Sequence, residues 1–214
     1  MAQPSIRYRP NARPRAFTLI ELLVVTAIIV VVTAVALVSN SRFGGVVQLE
    51  NLTYNIALSI RQAQVYGISV ARFGESTFSA GYGVHFDVTN PASATAYAIF
   101  ADALTPNGMY DCPNPGTNNC ELVETTEITG GYRIQGLCAP AGTDAATCTP
   151  VQKLDILFVR PEPDAWISAS EISCILPGGT CQTSARISLI SPRGNTMSVV
   201  VETNGQISVR RQNQ

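Results

Sequence analysis

The residues of this chain that could do chemistry are few, and the oddest is a carboxylate in an apolar run. Glu21 lies within residues 17–38, a stretch otherwise interrupted only by Thr18, Thr26 and Thr33. An ionised group deep in a bilayer costs about 2.5–3.5 kcal/mol on insertion scales, so a carboxylate there calls for a partner. Six cysteines follow, Cys112, Cys120, Cys138, Cys148, Cys174 and Cys181, all beyond the apolar run. An even number in one region reads as disulfides made in an oxidising compartment. Fifteen connectivities are open in principle. The three local pairs, Cys112–Cys120, Cys138–Cys148 and Cys174–Cys181, are favoured because each closes a short loop rich in Pro, Gly, Thr or Asn. A structural zinc site is the weaker alternative, since no C-x-x-C spacing occurs and His85 is the only histidine.

His85 alternates with apolar neighbours and reads as a solvated strand histidine. No G-x-S-x-G, H-E-x-x-H, P-loop or dinucleotide glycine motif accompanies it, so catalysis is not expected. Arg210 and Arg211, with Arg186 and Arg193 on the same terminal region, form a candidate phosphate-binding patch for DNA. Residues 39–214 are acidic as a whole, with 10 basic against 14 acidic residues. Such a patch is therefore local, and a solvated basic tail is the simpler reading. The oxygen-rich loop 111–121 suggests Ca²⁺ only weakly: it lacks EF-hand spacing, and its Asn, Pro and Gly suit turns. No cofactor or metal is otherwise expected.

The elements that place these residues follow from periodicity. As a helix, residues 17–38 would run about 33 Å, enough to cross the hydrocarbon of a membrane. The flank before it carries Arg7, Arg9, Arg13 and Arg15 and no acid, while residues 17–214 hold 10 basic against 15 acidic residues. That asymmetry puts the N-terminus on the cytoplasmic side and the following domain outside. Val46, Leu49, Leu52 (or Thr53), Ile56, Ile60, Ala63 and Tyr66 continue as one helical stripe, with Gln64 largely off it and Gly67 as the helix end. Gly44-Gly45 is the expected flexible point. The threonines of the apolar run are expected to bond their own helix backbone.

Period two takes over beyond residue 75, with strands expected over 82–88, 96–101, 121–126, 132–137 and 154–158. Further strands lie around Ile187 and Leu189, over 197–201 and over 206–209. Ser191-Pro192-Arg193-Gly194 and a type I′ Asn204-Gly205 supply turns. A helix followed only by strands predicts an α+β domain, antiparallel sheets packed on a long N-terminal helix.

Ala16-Phe17-Thr18-Leu19-Ile20-Glu21 resembles the cleavage and methylation signature of type IV prepilins and type II secretion pseudopilins. A short basic leader, a small residue, Phe, and Glu four residues later stand directly before an apolar helix. The resemblance implies that a prepilin peptidase cuts between Ala16 and Phe17, removing residues 1–16, and N-methylates Phe17. It implies that Glu21 serves assembly, facing the free amine of Phe17 on a neighbouring subunit. Ala16 replaces the family's usual Gly, and residues 17–90 lack the proline that many relatives carry in the apolar segment. The run 59–64 is similar to the helix of the GspH/FimT type of minor pilin. The implied organisation is a leader (1–16), a membrane and filament-core helix (17–38) and an extracytoplasmic pilin domain (39–214). The implied partners are membrane lipid before assembly, other pilins or pseudopilins, the prepilin peptidase and an inner-membrane assembly platform. DNA binding is a property of some FimT-type relatives. A single-pass anchored binding domain that never polymerises is the other reading.

Overall fold

The computed structural model describes residues 17–69, 73, 80–113, 120–144 and 146–211, with side chains omitted for 38–44. Ala16 with the leader before it, and residues 114–119 of the oxygen-rich loop, lie outside the described residues. The fold is α+β, with two antiparallel sheets and a long N-terminal helix. Helix α1 spans Leu19–Ile68 and continues through Gly44 and Gly45. The chain divides between Phe43 and Gly44 into two compact units.

In the first unit, every described side chain from Phe17 to Leu37 is exposed. Thr18 starts the helix. Its Oγ1 accepts from the Glu21 N–H at 3.3 Å and its carbonyl from the Leu22 N–H at 3.2 Å. This is an N-cap, and Thr18-x-x-Glu21 is the spacing of a capping box, a local signal the apolar pattern had hidden. Thr26 and Thr33 donate to Leu23 O and Ile29 O, satisfying their hydroxyls within the helix.

In the second unit, the rest of α1 packs on strands β1 (Gly81–Asp87), β2 (Ala96–Asp102), β3 (Leu122–Glu127), β4 (Arg133–Cys138), β5 (Pro150–Val151), β6 (Lys153–Phe158), β7 (Ala165–Ala169), β8 (Ser184–Ile190), β9 (Thr196–Glu202) and β10 (Ile207–Arg211). The first sheet has the order β3-β2-β1-β6-β7 and the second β10-β9-β8-β4-β5. Leu49, Ile56, Ile60 and Ala63 are fully buried in one core with Val84, Phe86, Ile156, Phe158, Ile187 and Val199. Each of the large aliphatic side chains contributes about 2 kcal/mol by leaving water.

Two details of the helix and turns differ from the sequence reading, Gln64 and the Asn204-Gly205 turn, and two are sharpened, Thr53 and Gly67. Gln64 is buried on the packed face, where its Nε2 donates to Pro163 O at 2.9 Å and Gly205 O at 3.2 Å. Thr53, not Leu52, takes the fully buried place and returns its hydroxyl to Leu49 O. Gly67 lies at the helix end as expected, one residue before Ile68, though without a positive φ. A Cβ there would stand 2.3 Å from Phe158 O, so glycine lets the helix lie against β6. Asn204-Gly205 does not form a type I′ turn, since only Gly205 has positive φ, at 77°. Asn204 Oδ1 instead accepts from Gln206 N–H, giving a three-residue loop that ends in a left-handed glycine. Strand β7 was missed because Pro161 and Pro163 precede it and its alanines and serine are weak strand formers; pairing with β6 supplies what propensity does not.

Candidate functional site: the apolar helix and its carboxylate

Residues Leu19–Leu37 form one helix long and apolar enough to cross a membrane, with none of it buried inside the protein. Phe17 is 77% exposed and Leu19 81%. The first unit thus presents apolar surface all round, which a single chain leaves uncovered; such a helix belongs in lipid or among other helices. Glu21 sits one turn from its start, exposed with the rest. No described group bonds its carboxylate, because Thr18 engages only the Glu21 backbone. The site is therefore an exposed carboxylate, unbonded among the described residues, near the start of an uncovered apolar helix.

The other sequence candidates are placed as follows. The structure joins Cys112 to Cys120, Cys138 to Cys148 and Cys174 to Cys181. Closing loops of these lengths contributes about 2.5 kcal/mol each in the chain-entropy account. His85 is not a solvated strand residue. Asp155 stands opposite it on β6, and His85 Nδ1 lies 2.7 Å from Asp155 Oδ1 while Tyr110 packs on the ring at 4.9 Å. The loop after β2 covers this face of the first sheet, which periodicity alone left open to solvent. Arg186 is largely covered, 2% exposed on β8, although it lines one cleft with Arg210 and Arg211. Arg211 Nη2 reaches Glu50 Oε2 at 3.2 Å, and Arg210 is exposed on the edge strand β10.

The acidic loop turns its carboxylates inward. Glu121 Oε1 accepts from the N–H groups of Ala103, Leu104 and Thr105, and its Oε2 from Asp111 N–H. Asp102 accepts from Asn107 and Gly108 N–H at 3.1 and 2.9 Å, and Asn107 Nδ2 donates to Asp111. These oxygens organise backbone. Among the described residues no group of three His, Cys, Asp or Glu could hold a metal ion.

Burial, reinforced by the charges of Glu121 and Asp111, raises Asp102 to about 6 despite its two backbone donors. Burial also raises Glu121. A raised carboxyl stabilises the fold fully below its unfolded value near 3.8 and loses that contribution as pH rises through about 6. Unfolding free energies read by urea are thus expected to rise as pH falls from 7 towards 4, by up to about 3 kcal/mol from Asp102, and the midpoints with them. Asp102→Asn flattens that slope whatever it does to absolute stability. Asp87 and Asp144 are lowered, the first because burial is outweighed by bonds to Thr89 and the second by bonds to Thr147, and they oppose the rise only at its acid end, below about pH 5. A midpoint that is level from pH 4 to 7 contradicts the assignment.

A family model described as the prokaryotic N-terminal methylation motif matches residues 11–37. Neither a curated protein nor a solved structure matches the chain. The match covers the end of the leader (residues 11–16), the Ala16–Phe17 junction, Glu21 and the apolar helix to Leu37. It supports a prepilin-type protein, a pilin-like subunit that a prepilin peptidase processes.

Proposed function

We propose that this chain is a non-catalytic structural subunit, a minor pilin or pseudopilin of GspH/FimT type, of a type IV pilus or a type II secretion pseudopilus. The observation that carries this reading is the uncovered apolar helix Leu19–Leu37 with the methylation motif at its start. Lipid covers the helix first, with the domain outside the cytoplasmic membrane. Cleavage after Ala16 then exposes the amine of Phe17, and methylation leaves its positive charge. In the filament that amine lies against Glu21 of a neighbouring subunit, so two charges that are each costly in an apolar core compensate one another. The prepilin peptidase, the other pilins and an inner-membrane assembly platform are the partners.

The test is recovery with and without the peptidase. In cells that have it, the chain is expected in sheared surface filaments or overproduced pseudopili. In cells that lack it, the chain stays in the membrane at full length. Equal recovery in filaments from both strains contradicts the proposal.

A further inference from the structure

The filament reading leaves unused the outer face of the second sheet. Gly136, Ser188, Ser198 and Arg210 stand in register across β4, β8, β9 and β10. Two small residues of that row, Gly136 and Ser188, floor a trough, and the loop between Cys138 and Pro150 walls it, leaving a cleft of about 850 Å³. Nothing lies within 4 Å of the place where a Cβ on Gly136 would stand, so the floor is open there.

Arg186 occupies the next row, opposite Cys138, and lines the cleft while being 2% exposed. Its Nε donates to Ala141 O at 2.9 Å, its Nη2 to Gly142 O at 3.1 Å and its Nη1 to Ser198 Oγ at 3.2 Å. These three acceptors are neutral, and a guanidinium has five N–H groups, so two have no acceptor among the described residues. Burial and the charge of Arg210 disfavour this cation, against longer-range help from Asp144 and Glu202. A desolvated cation without a bonded carboxylate is costly unless something compensates it. The cleft brings Arg210 to the same place, within a domain that is otherwise acidic.

We propose that this cleft binds a small organic acid, with its carboxylate between Arg186 and Arg210 and its aliphatic body against Ile190, Pro150 and the Cys138–Cys148 disulfide. A mostly apolar lining with a few convergent polar groups is the usual make-up of a small-molecule site, and the volume lies in the usual range. Asp144 at the rim balances part of the positive charge, which favours a monoanion over a phosphate dianion. The lining has no aromatic side chain on which a base could stack, and Glu50 already engages Arg211; both count against a nucleic acid here.

The experiment uses the full chain in lipid nanodiscs with isotope-labelled isoleucine methyl groups, reading the Ile190 resonance during titration with pentanoate. The expected result is a shift that saturates below about 10 mM, the range of a weak small-ligand site, and that pentan-1-ol does not reproduce. Arg210 is exposed, so Arg210→Gln leaves the fold intact and weakens binding about tenfold through one lost charge-assisted contact. Gly136→Leu fills the open floor and abolishes the saturable shift while the other methyl resonances stay in place. A response that never saturates, equals that of pentan-1-ol, or survives both variants overturns the proposal. So does a shift that saturates with an oligodeoxythymidine and not with pentanoate.

Discussion

Glu21→Ala is expected to be inserted and cleaved normally and yet to fall at least tenfold in sheared filaments. Cleavage acts at Ala16–Phe17, and the helix start there does not use the Glu21 side chain: Thr18 Oγ1 accepts from the Glu21 backbone N–H, which alanine retains. Insertion becomes easier, since a charge leaves the apolar segment. Assembly loses its compensation, because the neighbouring Phe17 amine would enter an apolar core unpaired. Removing one partner of a buried pair costs about 3–5 kcal/mol, which at a single contact exceeds a hundredfold in occupancy. Filament avidity reduces the observable effect, hence the tenfold floor. Glu21→Gln keeps a hydrogen-bond acceptor and falls between the two. Immunoblots of sheared fractions against whole-cell protein measure the ratio, and wild-type recovery of Glu21→Ala removes the proposed registry role.

Gly67→Ala is expected to destabilise the domain by about 2–4 kcal/mol. On an isolated helix the change would help, since alanine is favoured over glycine by about 1 kcal/mol. Here the new Cβ would stand 2.3 Å from Phe158 O and 2.8 Å from Phe158 C, both backbone atoms of β6. Backbone in the middle of a sheet cannot swing away as a flexible side chain would, so the helix end must lift and take part of the core contact with it. Gly45→Ala is the matched control: its nearest neighbours would lie 3.9–4.0 Å away, in ordinary contact, and no loss is expected. Urea unfolding of the two variants side by side reads the difference. Equal midpoints would show that β6 and α1 have slack at their crossing.

The long apolar helix, its carboxylate and the α+β order were legible in the sequence because each rests on a strong local pattern. The run 17–38 has one reading by length, and the alternation in 82–88 has few rivals. The closure of each disulfide within a short loop could be argued from turn chemistry. What periodicity could not reach was the second face of each sheet. Strand alternation points His85 away from the main core, and the arginines gathered near the end of the chain make Arg186 read as part of an exposed patch. Loops 103–113 and 139–143 fold over those faces, and loop paths carry no periodic signal. The packing partners of Gln64 and Gly67 were out of reach for a related reason. Their roles depend on Pro163, Gly205 and Phe158, residues far along the chain that no window around the helix contains. The N-cap at Thr18 is local and readable, but an apolar pattern with one carboxylate points towards a partner chain rather than to the cap.

The most direct test of the central claim is the mass of the N-terminal peptide of the protein extracted from the membrane of a host that has a prepilin peptidase. The account predicts a chain that begins at Phe17 and carries one additional methyl group on its amine. A chain that still begins at Met1, with residues 1–16 attached in such a host, contradicts it and leaves an anchored domain that never becomes a filament subunit.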